Sequence, residues 1–429
     1  MKLDLAKRYL LFALIFNSCF PEEEIMATSA KSPMERLAET CKTSEIWWDS
    51  SPLLYESWSG KTIAESGEKE SYAAWHKRYY AGENPREQLF RGCTTNPPLS
   101  LAVLKERPEF WKAFVIEMRR QTPGASVSQL WWKLYLELIR RGGEYYTAKF
   151  NESGFQYGYL TGQVDAREIE NTELMKRQAE EIAAISSNIM IKIPGTAQGL
   201  DVVKYLTSKG ISTCATLCFT LPQFVAVAKA VKDGLEIARQ KGVDLSRWRS
   251  TIAYMAARYE ELGNFQKEGE KIGIELSEPE RRWSSIAILK KGIEYLEKGN
   301  YPSKMLVASM RIGPVLDGKT RVWHVEKLAG ADIVYTCPPK FINIVDEYCL
   351  DIEFDPEAWK YPPPGNVIEK LNRFAYFREA YDPEGLEPPQ FNTHPSMVAT
   401  ATQFGNACSD MEVFVEEALK GADIRSKLL

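Results

Sequence analysis

The chain has 429 residues, 44% of them hydrophobic, and a formal net charge of −4. This composition supplies a sizeable core and excludes the strongly basic face by which nucleic-acid binders are recognised. Eight scattered cysteines without a CxxC pair, three histidines and no HExxH give no metal-ligand spacing, so free thiols in a reducing compartment are expected, with no metal and no cofactor.

In chain order, residues 1–40 read as an N-terminal extension. Lys2, Lys7 and Arg8 precede an apolar run from Tyr9 to Phe16. The run is far short of the about 20 residues a bilayer span needs, and it has the charge and apolar core of a targeting segment without a good cleavage site. No membrane association is expected. From 41 to 429 the pattern predicts one domain. Eight segments rich in apolar and β-branched residues follow one another: Glu45–Asp49, Phe90–Asn96, Gly158–Asp165, Asn188–Pro194, Ile211–Phe219, Thr251–Arg258, Lys304–Met310 and Asp332–Cys337. Most are separated by helical spacings, such as Leu200, Val203 and Leu206, or Phe224, Val227, Val231 and Leu235. Strands alternating with helices predict parallel pairing with crossover helices, and eight units predict an α/β fold that closes as a (β/α)8 TIM barrel; a doubly wound open sheet is the rival. A helical insertion near 100–150 is predicted as Pro108–Gln121 and Val127–Arg141. Prolines make Phe354–Pro389 irregular or broken into short helices, and a last amphipathic helix is predicted near Met411 to Leu419.

The fourth predicted strand holds Lys192 between Ile191 and Ile193. Burial there is expected to lower the lysine pKa and free a neutral amine for attack on a carbonyl. On this segment alone, a lysine that snorkels to water is the simpler reading. The strand ends favour chemistry, because active sites of such barrels lie at the C-terminal ends of the strands. Reading those ends gives Asp49, then Thr94-Thr95-Asn96-Pro97, then Gln163 with Asp165 and Arg167, then Lys192, Thr216, Ala253 to Arg258, and Arg311.

These residues carry a resemblance to the transaldolase family. The turn Thr94-Thr95-Asn96-Pro97 matches its T(T/S)NP, Leu160 to Asp165 its VSxEVD-like strand, and IKIPGTAQGL from Ile191 to Leu200 its reactive-lysine motif. Thr216-Leu217-Cys218-Phe219-Thr220 and Ala253 to Arg258 match two further strands, and the five motifs stand in the family's order. The resemblance implies transfer of a three-carbon dihydroxyacetone unit between sugar phosphates, in the pentose phosphate pathway, through a Schiff base on Lys192. It implies Asp49 as the acid–base group, although before Ser50, Ser51 and Pro52 the same residue alone reads as a helix cap. Thr216 would position water or help proton transfer. Asn96 and Thr95 would hold the retained unit, Asn96 otherwise being a turn residue. Arg258 and Arg311 are phosphate candidates by guanidinium geometry, either alternatively a rim residue in a surface ion pair. Asp165 and Arg167 are expected to pair with each other or cap a helix.

Two departures from the pattern matter. The family glutamate is Gln163 here, which can orient water but cannot accept its proton. The phosphate-binding serine is Ala253, a loss of one donor worth about 0.5–3 kcal/mol. Cys214 also replaces an asparagine, and Met255 an aromatic residue. A fructose 6-phosphate aldolase-like activity and a non-catalytic sugar-phosphate-binding protein on the same scaffold are therefore the alternatives to a transaldolase. The partners expected are sugar-phosphate substrates, with a homodimer allowed by the resemblance, and the extension leaves a plastid or a cytoplasmic location open.

Overall fold

A computed structural model of the protein describes residues 30–81, 84, 85 and 87–428, so the run from Tyr9 to Phe16 lies outside the described residues. The eight predicted strands form, most of them shorter than expected: β1 Glu45–Trp48, β2 Phe90–Cys93, β3 Tyr159–Gln163, β4 Ile189–Pro194, β5 Thr213–Cys218, β6 Ser250–Met255, β7 Lys304–Ala308 and β8 Val334–Cys337. They pair in parallel and close into a barrel in the order β1-β8-β7-β6-β5-β4-β3-β2. The rival open sheet is thereby excluded.

The differences at strand ends have local causes. β2 stops at Cys93 because Asn96 caps the helix Pro97–Glu106, with Pro97 at its first position. β6 stops at Met255, where Ala256 and Ala257, strong helix formers, open the helix Ala256–Leu262. Arg258 is therefore a helical residue rather than a strand residue. β7 stops at Ala308, and Ser309 takes a left-handed backbone (φ +59°) that turns the chain before Arg311.

The insertion contains Pro108–Gln121 as predicted and Val127–Glu144, whose start is fixed by a capping box between Ser126 and Gln129. The proline-rich region resolves into the short helices Gly365–Leu371 and Ala375–Tyr381 after a 3-10 turn, Ala358–Lys360. The last helix is far longer than its predicted core, spanning Pro395–Leu428. It packs on the insertion helices, on Ala256–Leu262 and on β5. The helix Pro33–Glu39, grouped with the extension in the sequence, is part of the packed body: Ser32 and Glu35 form its capping box, and Met34 and Leu37 are fully buried. None of the described helices is long and apolar enough to cross a membrane.

Strand alternation divides the side chains between two cores. Ile189, Ile191 and Ile193 face the helices. Trp47, Tyr159, Met190, Cys214, Ala253, Leu306 and Val334 fill the barrel interior. Lys192, two residues after Met190, falls on that inner face. The N-terminal end of the barrel is closed by Glu45, which accepts from Trp47 Nε1 (2.9 Å), Arg249 Nη2 (2.6 Å) and Lys304 Nζ (3.1 Å). Burial alone would raise the Glu45 carboxyl pKa, but these two cations bring it below its ordinary value.

Trp47 fits only because position 92 is glycine. A Cβ there would meet Trp47 ring carbons at 2.5 to 2.9 Å, and the indole is pinned by Glu45. Gly92→Ala is expected to destabilise the protein by about 1–3 kcal/mol through overpacking. A lower denaturant midpoint at constant m-value is the expected reading; an unchanged midpoint would mean that the indole relocates freely.

Candidate active site

Lys192 is 5% exposed, and its Nζ donates to the carbonyl of Thr95 at 3.1 Å. That bond crosses from β4 to the turn after β2, so the amine lies inside the barrel near its C-terminal mouth. In register, Lys192 stands beside Gln163 on β3 and Cys214 on β5. Sequence alone left a snorkelling lysine open; the inward direction settles it.

Asp49 follows β1 directly, its N–H donating to Cys337 on β8 (3.0 Å). Its Oδ1 accepts from Thr94 Oγ1 at 2.6 Å, and that hydroxyl also meets Thr336 Oγ1 at 2.5 Å. Burial raises the Asp49 carboxyl pKa, and the charge of Lys192, the Thr94 hydroxyl and the charge of Arg258 offset the rise only in part. Asp49 is held by Thr94 and Lys192 by Thr95, and among the described residues the two form no salt bridge. The capping role considered for Asp49 belongs to Ser51, whose Oγ accepts from Leu53 N at 3.4 Å. Thr336 was missed in the sequence; the signal for it is its place on the inner face of β8, two residues after Val334.

Gln163 and Thr216 are almost fully buried, and each has one side-chain atom, Oε1 and Oγ1 respectively, without a hydrogen-bond partner. Both lie on strands flanking Lys192, where they remain available to a polar partner. Tyr135 fixes the Gln163 main chain by donating to its carbonyl (2.9 Å) and accepting from its N–H (3.2 Å). Thr216 is positioned by a bulge: the β5–β6 register slips between Ala215 and Cys218, and Leu217 has φ +53°. A left-handed leucine costs of order 1–3 kcal/mol, the kind of strain that persists at functional sites. The sequence there predicts one regular strand.

The remaining predicted residues divide. Thr95 is structural: its N–H and Oγ1 bond Thr161 on β3 (2.9 and 2.5 Å), and its carbonyl holds Lys192. Asn96 is a helix cap: its Oδ1 accepts from Leu99 N (3.0 Å), which leaves its amide group as a donor. Ala253 lies in the inner core and offers no polar atom. Cys214 lines the same interior; burial raises its thiol pKa, and Lys192 opposes the rise. Arg258 is half-buried, and burial followed by the charge of Arg311 lowers its pKa, with Asp49 and Glu261 acting the other way. Two guanidinium groups and the Asp49 carboxylate thus share one region. Arg311 itself is 44% exposed and pairs with Glu261 at 3.2 Å, the rim ion pair anticipated as its alternative. Its backbone N–H donates to His324 Nδ1 (3.0 Å), and His324 Nε2 meets the Glu260 carboxylate at 2.8 Å, a buried support absent from the sequence reading. Asp165 and Arg167 pair with each other as expected, at 2.8 Å.

A family model described as Transaldolase/Fructose-6-phosphate aldolase matches residues 83–375. The chain belongs to this family. It is 27% identical over 294 residues to a transaldolase of Mycolicibacterium paratuberculosis, covering 65% of this chain and 77% of the relative. It is 27% identical over 246 residues to a transaldolase of Trichodesmium erythraeum (52% and 64%), and 26% over 270 residues to one of Thiobacillus denitrificans (60% and 74%). The residues matched to the Transaldolase/Fructose-6-phosphate aldolase model include Lys192, Gln163, Thr216, Arg258 and Arg311, whereas Asp49 and the helix Pro395–Leu428 lie outside them. The barrel nevertheless brings Asp49 to the lysine, because its first and last strands meet at closure.

Proposed function

We propose that this chain is a transaldolase, which moves a dihydroxyacetone unit from a ketose phosphate, sedoheptulose 7-phosphate or fructose 6-phosphate, to an aldose phosphate in the pentose phosphate pathway. The observation that carries the assignment of roles is the inward, buried Lys192 within the electrostatic reach of Asp49.

In the first step Lys192 Nζ attacks the C2 carbonyl carbon. The carbinolamine takes up a proton on its hydroxyl, which leaves as water, and becomes an iminium ion; the final hydrolysis returns that proton. The Asp49 carboxylate takes the proton of the C4 hydroxyl, the C3–C4 bond breaks, and its electron pair flows into the iminium to leave an enamine on Lys192. The aldose departs. An incoming aldose phosphate is attacked at its aldehyde carbon by the enamine carbon, and protonated Asp49 returns its proton to the new alkoxide. Water then hydrolyses the iminium and releases the product. Covalent attachment divides one difficult cleavage into easier steps, and the proton transfer by Asp49 contributes about 10²–10⁴-fold. Thr94 and Thr336 orient that carboxylate. The open Thr216 Oγ1 and Gln163 Oε1 suit the water of the hydration steps, and Asn96 offers a donor to the retained unit. Arg258 and Arg311 supply the positive charge for a phosphate.

Gln163 favours a second reading. Without a carboxylate to take the proton of the attacking water, the balance between transfer and release can shift, and a fructose 6-phosphate aldolase-like enzyme releases dihydroxyacetone. Incubation with fructose 6-phosphate separates the two. Erythrose 4-phosphate is expected to produce sedoheptulose 7-phosphate faster than free dihydroxyacetone accumulates; predominant release would favour the aldolase, and neither product a binding protein.

A further inference from the structure

Arg258 differs from the other arginines around the mouth in what holds it. Arg311 is paired with Glu261, and Arg167 with Asp165 and Glu412. Arg258 makes no salt bridge among the described residues. Its Nη1 donates to Gln403 Oε1 at 2.6 Å and lies 3.5 Å from Thr400 Oγ1, and its guanidinium carbon is 5.3 Å from the centre of the Phe404 ring. These three neighbours come from the C-terminal helix at positions i, i+3 and i+4, which is one helix face. Thr400 and Phe404 are buried, so that face is anchored, while Gln403 stands at the exposed edge.

The chemistry of this cradle is selective. An amide oxygen orients a guanidinium without cancelling its charge, and the ring face does the same by cation–π attraction. A carboxylate at position 403 would orient it as well, but would form a charge-assisted pair that a substrate phosphate must displace. The half-buried cation is thus held by neutral groups and without a salt bridge among the described residues, near the second guanidinium, that of Arg311.

We infer that Gln403, on a helix outside the matched family region, is the positioning residue that keeps Arg258 oriented and free for the phosphate of the substrate, and that its neutrality determines affinity for phosphorylated sugars. This inference rests on the reading of Arg258 as a phosphate anchor.

The test compares Gln403→Ala, Gln403→Glu and Arg258→Ala in the full chain, measuring KM and kcat for fructose 6-phosphate with erythrose 4-phosphate as acceptor, and the inhibition constant of inorganic phosphate. Gln403→Glu is expected to raise KM and the phosphate inhibition constant by about tenfold or more, Gln403→Ala by roughly threefold, with kcat within about twofold in both. A merely structural contact predicts the reverse order, since glutamate is the better acceptor for arginine. Gln403 is exposed, so neither substitution threatens folding. If Arg258→Ala raises KM but Gln403→Glu leaves it unchanged or lowers it, the inference is overturned and the anchor stands. If Arg258→Ala leaves KM and phosphate inhibition unchanged, the anchor reading and the inference fall together.

Discussion

Lys192→Met is expected to abolish transfer while leaving the barrel intact. Removal of a covalent nucleophile is felt on the order of 10⁶-fold in kcat, because the residual groups cannot supply another electron sink. Methionine keeps the length and most of the volume of the side chain in a nearly closed site, and places no charge beside Asp49. The Thr95 carbonyl loses its donor, a modest cost of about 0.5–1.5 kcal/mol. Stopped assays at high enzyme concentration and thermal denaturation check the two halves of this expectation. Residual activity near 1% with an unchanged melting temperature would mean that the chemistry proceeds without a Schiff base at this position.

Asp49→Asn separates activity from stability in the opposite sense. Asparagine keeps the shape and can still accept from Thr94, but it cannot take a proton from the sugar, so kcat is expected to fall about 10²–10⁴-fold. The sign of the stability change follows from the raised pKa of Asp49. With the folded-state pKa above the unfolded one, the folded protein holds the proton more tightly. Its contribution is therefore fully present below the unfolded pKa of about 3.9 and is lost as pH rises through the folded pKa. At neutral pH the ionised Asp49 is a burden on folding, which the asparagine removes. The variant is expected to be inactive and at least as stable as the parent, with an advantage that appears as pH rises across that window. The same shift places the acid limb of the parent's kcat profile above the ordinary carboxylate range, since the base works only when ionised. A variant less stable at neutral pH than at acid pH, relative to the parent, would contradict this account of the site.

Much of the site was legible in the sequence because strand alternation has a fixed period. Alternation sets Met190 and Lys192 on one face of the strand and the three isoleucines on the other, but which face is inside was left open until the barrel closed. Cys214 and Thr216, two residues apart on the next strand, follow in the same way. The register that sets Gln163 beside Lys192 is not fixed by parallel direction alone and is seen only in the structure. What alternation cannot reveal is where a strand stops. Arg258 was placed on β6 because the segment reads as continuous; the switch to helix at Ala256 rests on two alanines, whose preference is weak against the apolar run before them. Arg311 was placed at the end of β7, whereas the left-handed Ser309 turns it to the rim. The bulge at Leu217 has no signature in a leucine.

The C-terminal helix was legible only in part, near Met411 to Leu419, and its first half was not. Its buried residues include Met397, Ala401, Phe404, Ala407, Cys408, Met411, Phe414, Val415 and Ala418, spaced as a helix requires. Alanine, cysteine and Gly405 hold several of those positions, however, and small residues dilute an apolar stripe. They are small because the helix lies closely against its neighbours: a Cβ at Gly405 would stand 3.3 Å from the Arg167 side chain. The close packing that brings Thr400, Gln403 and Phe404 to Arg258 therefore weakens the pattern by which the first half of the helix could be seen. Asp49 was found from its place after the first strand, and the Thr94–Thr336 pair that orients it became visible only when the last strand closed on the first.

Borohydride reduction in the presence of fructose 6-phosphate, followed by peptide mass mapping, tests the central claim most directly. The account predicts a single ketose- or dihydroxyacetone-derived adduct, on the peptide carrying Lys192, absent from Lys192→Met and from samples without sugar. A reduced adduct on another lysine, or an unmodified Lys192 under conditions that label a known transaldolase, would contradict it.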